Sequence, residues 1–112
     1  PQPMKKLSEQ ITENNFGICL DIGHINYSRA SVDEWFDALG EKTGYLHLSD
    51  NMGVYDDHLP IGKGSVDWKR VDALCSQLSG SIQAITLEVG GIDGIISSLE
   101  YIGSHGYFGG LA

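Results

Sequence analysis

Basic residues are scarce in this sequence. Its 112 residues include 7 Lys and Arg against 15 Asp and Glu, a formal net charge of −8. No basic cluster exceeds the pairs Lys5-Lys6 and Lys69-Arg70. The electrostatic footprint of a protein that grips a phosphate backbone is therefore missing, and nucleic acid is not an expected partner. Cysteine is almost absent too. Cys19 and Cys75 give no disulfide framework, and both read as reduced core residues in apolar surroundings. No apolar run approaches the length of a membrane span, and no signal peptide opens the chain. A soluble, cytoplasmic protein is expected. The first residue is Pro1 rather than Met, so something upstream is expected. There is no internal repeat and no low-complexity segment.

What is present is a regular alternation of two periodicities. Pro3, Met4, Leu7, Ser8 and Ile11 have helical spacing, which predicts a helix over roughly 3–14 with Pro near its first turn. Phe16 to Asp21 reads as a short buried strand, and 21–26 as the loop after it. Ser31 with Glu34 three residues later is a capping box. It starts a helix whose face is Val32, Trp35, Phe36 and Leu39 and which Gly40 stops. Tyr45 to Leu48 is the second strand, followed by a long loop over 49–66. Asp67 caps a helix with Trp68, Val71, Leu74 and Leu78 on one face, ending at Gly80. Ala84 to Val89 is the third strand. Gly90-Gly91 leads to a helix with Ile92, Ile95, Ile96, Leu99 and Ile102 on its face, and the tail from Gly103 through Gly106, Gly109 and Gly110 reads as loop. Strands alternating with helices imply α/β architecture with parallel strands and right-handed crossovers.

Each strand has one greasy face and one small or polar face. Ile18 and Leu20 oppose Gly17, Cys19 and Asp21. Leu46 and Leu48 oppose Tyr45, His47 and Ser49. Ile85, Leu87 and Val89 oppose Ala84, Thr86 and Glu88. A doubly wound sheet meets helices on both faces and stays apolar on both. Polar inner faces ending in functional groups suit a (β/α)8 TIM barrel, whose active site lies at the carboxyl ends of its strands. Three strands cannot close such a barrel. Residues 1–112 therefore read as a single partial TIM-barrel domain, the carboxyl-terminal portion of about three βα units.

Asp21, His47 and Glu88 come from three successive strand ends and are expected to converge. Two hard oxygen ligands and one imidazole suit a divalent cation such as Mn, Zn, Co or Mg. His24 is placed to reach the same cavity. Asp56 and His58 add a carboxylate–imidazole pair on the long loop, either as further ligands or as a brace for that loop. Lys63, between Gly62 and Gly64, is a candidate contact for a phosphate or hydroxyl, while the two glycines themselves suit a turn needing positive φ. Asp50, Asp57 and His105 read as surface polar groups. Trp35, Phe36 and Trp68 read as packing residues.

The runs Leu-Asp-Ile-Gly-His-Ile-Asn (20–26), Leu-His-Leu-Ser-Asp (46–50), Asp-Asp-His-Leu-Pro-Ile-Gly-Lys-Gly-Ser-Val-Asp-Trp (56–68) and Thr-Leu-Glu (86–88) resemble the xylose-isomerase-like barrel superfamily. That group includes sugar-phosphate isomerases and epimerases and the type IV apurinic-site endonucleases. The resemblance implies that Asp21, His47 and Glu88 hold a single divalent metal and that His24 contacts substrate. In the endonucleases His24, Asp56 and His58 also match metal ligands. The implied reaction is proton transfer through an enediolate on a ketose or aldose, with Glu88 and His24 as catalytic candidates and His24 and Lys63 as substrate contacts. The expected partner is a sugar or sugar phosphate. The strands that supply a further carboxylate in the family lie outside this sequence, so a fragment incomplete for catalysis is expected. Three functions stay open: a metal-dependent isomerase or epimerase, a metal-dependent abasic-site phosphodiesterase, and a non-catalytic fragment that pairs with itself or with the missing amino-terminal half.

Overall fold

The computed structural model describes residues 1–78 and 80–109. Three parallel strands, β1 (Ile18–Asp21), β2 (Thr43–Leu48) and β3 (Ala84–Leu87), form one sheet in the order β1-β2-β3. Around them run α1 (Gln2–Gln10), α2 (Ile22–Tyr27), α3 (Val32–Leu39), α4 (Trp68–Ser76) and α5 (Gly91–His105), with a 3-10 turn at Gly40–Lys42. The register sets Cys19, Tyr45 and Ala84 in one row and Asp21, His47 and Thr86 in the next.

Side-chain alternation decides which face is covered. Ile18, Leu20, Leu46 and Leu48 are buried against Phe36 and Leu39 of α3 and Trp68, Val71 and Leu74 of α4. Burying each such side chain contributes about 1.5–3 kcal/mol. On the opposite face Cys19, Tyr45, Ala84 and Thr86 are exposed. One covered face and one open polar face are what part of a TIM barrel presents. The chain is α/β, with parallel strands alternating with helices in that partial-barrel arrangement.

The capping box at α3 is as expected: the Glu34 N–H donates to Ser31 Oγ at 3.2 Å and the Ser31 N–H to Glu34 Oε2 at 2.7 Å. Arg70 at the start of α4 donates from Nε to Asp33 Oδ1 at 2.9 Å, tying α4 to α3.

Several expectations need correction. Residues 22–27 are helix α2, not loop. Asp21 is its N-cap, with Oδ1 accepting from the His24 N–H at 3.0 Å. Capping by Asp is worth about 1 kcal/mol, and six residues are too few to display a helical period. Cys19 is exposed rather than core, because it lies on the open face of β1; Cys75 is buried as expected. The α4 helix ends at Ser76, short of Gly80. The α5 helix passes through Gly103 and stops at Gly106, whose φ of 68° is the left-handed conformation that terminates helices. Gly110 lies outside the described residues. The apolar faces of α1 and α5 are largely uncovered: Met4, Leu7, Ile92, Ile96 and Leu99 are all exposed. Periodicity identifies an apolar face, not the surface that covers it. No described helix is long and apolar enough to cross a membrane.

Candidate metal centre

Three neighbouring strand ends deliver one ligand group each to a common point. Asp21 closes β1 and His47 is the next-to-last residue of β2. Glu88 lies one residue past β3, its N–H donating to Leu48 O at 2.9 Å, so the ladder continues far enough to aim its side chain. One ligand atom from each of the three residues lies within 4.8 Å of the others, and all three are partly buried. His47 Nδ1 sits 3.0 Å from Glu88 Oε1 and 3.9 Å from Asp21 Oδ2. The two Asp21 oxygens have separate tasks: Oδ1 caps α2, and Oδ2 faces His47 and, at 3.5 Å, His24 Nδ1. Two hard oxygens and an imidazole nitrogen, open on one side, fit a divalent cation of the Zn, Mn, Co or Mg type.

A second group stands beside the first. His24, exposed on α2, places Nε2 at 3.0 Å from Asp56 Oδ2. The same oxygen lies 3.1 Å from His58 Nε2. His58 has φ of 50°, a left-handed conformation rare outside glycine. Its Nδ1 reaches the Glu88 carbonyl oxygen at 2.6 Å. That contact, with the Asp56 carboxylate adding to it, pushes the His58 imidazole above its usual range. Asp56 therefore bridges two imidazoles, and His58 ties this group to the backbone of Glu88 in the first. Of the six candidate ligands, Asp21, His47 and Glu88 close into one group, and His24, Asp56 and His58 adjoin it through pairwise contacts. Lys63 is not brought in: it lies exposed on a turn, its N–H donating to Pro60 O at 3.0 Å, and no ion pair joins it to either group among the described residues.

The loop that carries Asp56 and His58 is braced by two residues the sequence undervalues. Asp50, expected at the surface, is fully buried. Its Oδ1 accepts from the N–H groups of Asn51 at 3.0 Å and Val66 at 3.1 Å. Its Oδ2 accepts from the Gly62 N–H at 2.9 Å and from Trp68 Nε1 at 2.8 Å. Asn51, also fully buried, ties the loop to α2. The glycines differ in their reasons. Gly62 has φ of 83°, as a turn of that kind requires. Gly64 is needed for space, because a Cβ there would overlap Asn51 O and Asp50 Oδ1. The available signal was the pair of short polar side chains at 50–51, immediately after a strand and before a glycine-rich loop.

A family model described as Xylose isomerase-like TIM barrel matches residues 1–103. Two uncharacterized proteins of Methanocaldococcus jannaschii, MJ1311 and MJ1614, are each 33% identical, over 73 and 79 residues. Those stretches are 63% and 64% of this chain and 25% and 30% of the relatives. A solved structure described as the crystal structure of a D-tagatose 3-epimerase-like protein matches with a TM-score of 0.78 at 26% identity, over 94% of this chain and 40% of that one. The chain thus spans between a quarter and two fifths of the length of these proteins.

Proposed function

The chain belongs to the xylose isomerase-like TIM barrel family, and on that premise we propose that it carries the metal-holding part of a sugar or sugar-phosphate isomerase or epimerase. The observation that carries this reading is the meeting of Asp21, His47 and Glu88 within 4.8 Å at the ends of adjacent strands. The structural likeness to an epimerase-like protein supports the substrate class. A divalent cation held by these three residues supplies Lewis acidity toward a sugar carbonyl and its neighbouring hydroxyl. Glu88 takes the proton from the carbon beside that carbonyl, and the resulting enediolate is reprotonated from its other face or at the former carbonyl carbon by a second group. His24, on the exposed side of the group, orients a substrate hydroxyl. The second proton-transfer group comes from the remaining strands of the barrel. Residues 1–112 act as one partial domain, in the cytoplasm.

Calorimetric titration with Mn²⁺, Co²⁺ and Zn²⁺ tests the reading. Asp21→Ala, His47→Ala and Glu88→Ala should each weaken binding, and by more than the about tenfold that loss of a supporting outer contact costs. If all three variants bind as the parent does, the proposal fails. A screen of ketoses for metal-dependent interconversion then addresses the reaction.

A second reading is favoured by one observation, the Asp56 bridge between His24 and His58. Such a carboxylate–imidazole group beside the first would suit a phosphodiesterase acting on abasic DNA, although the net charge of −8 opposes it. Cleavage of an abasic duplex would decide in its favour. The uncovered apolar face of α5 and the free edges of β1 and β3 suit pairing with a second copy or with the rest of a barrel. A monomer at every concentration in size-exclusion chromatography would count against self-pairing.

A further inference from the structure

We propose that Asn51 is a positioning residue that sets His24 of α2 against Asp56 of the long loop. The proposal rests on the reading above only in treating the His24–Asp56–His58 group as part of the site. His24 and Asp56 are 32 residues apart, and no strand ladder runs between the elements that carry them. Something else must hold α2 at a fixed distance from the loop.

Asn51 does so with one planar amide. Its Nδ2 donates to the carbonyl of Gly23, the residue before His24, at 2.8 Å. Its Oδ1 accepts from Asn26 Nδ2, on the same helix, at 2.8 Å and from the Gly53 N–H at 2.9 Å. Its backbone carbonyl accepts from the Ser65 N–H at 2.8 Å and from Ser65 Oγ at 3.1 Å. Gly53 begins the segment that reaches Asp56, and Ser65 closes the loop beyond His58. One buried side chain is thus fastened to α2 and to the outgoing limb, while its own backbone fastens the returning limb.

The chemistry needs a donor and an acceptor on the same small, uncharged group. An amide supplies both in one plane, whereas an ionised carboxylate of the same shape only accepts. Ionised Asp at this position would turn an oxygen toward Gly23 O, and Leu would leave Gly23 O and the Gly53 N–H without these side-chain bonds while the backbone carbonyl kept those to Ser65. His47, by contrast, is held by the β-ladder, with neighbours Asp21 and Thr86. It therefore serves as an internal control: losing Asn51 should disturb His24 and His58 and leave His47 alone.

The test is long-range proton–nitrogen spectroscopy of the histidine rings in the metal-free chain, with Asn51→Asp beside the parent. The expected result is that the ring-nitrogen signals of His24 and His58 move toward those of free imidazole while those of His47 stay in place. In a Co²⁺ titration, binding that depends on His24 and His58 should weaken by about tenfold, as loss of supporting contacts commonly does, with binding at Asp21–His47–Glu88 retained. Should Asn51→Asp fail to fold, Asn26→Ala decides, since it removes the Asn26 Nδ2 bonds to Asn51 Oδ1, Asn51 O and Ser65 Oγ and leaves the buried Asn51 amide in place. Unchanged His24 and His58 signals in a folded variant, or equal movement of all three histidines, would overturn the proposal. The ring signals need no metal. A chain that binds no Co²⁺ but shows the selective change keeps the positioning role and loses the metal reading.

Discussion

Removing the Asp50 carboxylate should cost more than removing any exposed acid in the chain. The side chain is fully buried and accepts four hydrogen bonds, from Asn51 N, Gly62 N, Val66 N and Trp68 Nε1. In Asp50→Ala those donors lose their acceptor together. Gly62 N and Val66 N are in part-buried bonds, so water can replace the oxygen there. Asn51 N and Trp68 Nε1 are in buried bonds and stay unpaired. A buried donor without a partner costs about 1–3 kcal/mol, so two of them cost about 2–6 kcal/mol, and a central value is about 4 kcal/mol. That is a large part of the roughly 5–15 kcal/mol that holds a typical domain together. Urea denaturation followed by tryptophan fluorescence and by far-UV circular dichroism reads the loss. Asp50→Asn should recover part of it, since the carbonyl still serves one pair of donors while the NH₂ group faces the other. A loss below about 1 kcal/mol for Asp50→Ala, within the range of ordinary surface substitutions, would refute the assignment of this carboxylate as the loop's anchor.

Three further outcomes follow from the same structure. In the native protein a thiol reagent at mildly alkaline pH should label Cys19 and spare Cys75. Cys19 is exposed, whereas burial first and Asp72 second push the Cys75 thiol up to about 12; equal labelling of both without denaturant would contradict the burial. Gly64→Ala should destabilise the chain and disorder the Asp56–His58 loop, because the added methyl meets backbone and the Asp50 carboxylate rather than a mobile side-chain end; a melting temperature equal to the parent's would contradict this. Asp33 is held below its ordinary value of 3.8 by the Arg70 hydrogen bond, and Glu34 below 4.5 by the Ser31 N–H. For a lowered folded value, the stability is complete above the ordinary value and is lost as pH falls through the folded one. The gap in urea midpoint between the parent and Asp33→Asn should therefore be constant above the carboxylate range and close in acid; a gap that widens in acid would refute the pairing.

Several parts of the site were legible in one dimension because they depend on strand alternation alone. Residues two apart share a face, so Asp21, His47 and Glu88 had to lie on the polar side of their strands, near the carboxyl ends. The Ser31–Glu34 capping box was legible for a similar local reason. Helix α2 was not, because its start signal, Asp21, was also the leading ligand candidate and its six residues show no period. Asp50 and Asn51 were misjudged or overlooked because a short polar side chain after a strand reads as a turn residue. What makes them buried is the return of Gly62, Gly64, Ser65 and Val66 over them, and no local pattern records that return.

The sequence by itself determined the order of the three strands and of every helix but α2, the apolar face of each, and the three groups at the strand ends, since all of these follow from periods of two and about 3.6 residues. Tertiary structure alone decided that Asp56 bridges His24 and His58, that the face of β1 carrying Cys19 stays open, and that the faces of α1 and α5 stay uncovered. Those outcomes depend on which distant segments come to lie against one another. That is settled by packing and by hydrogen bonds across tens of residues, such as the bonds that Asp50 and Asn51 make to the returning loop.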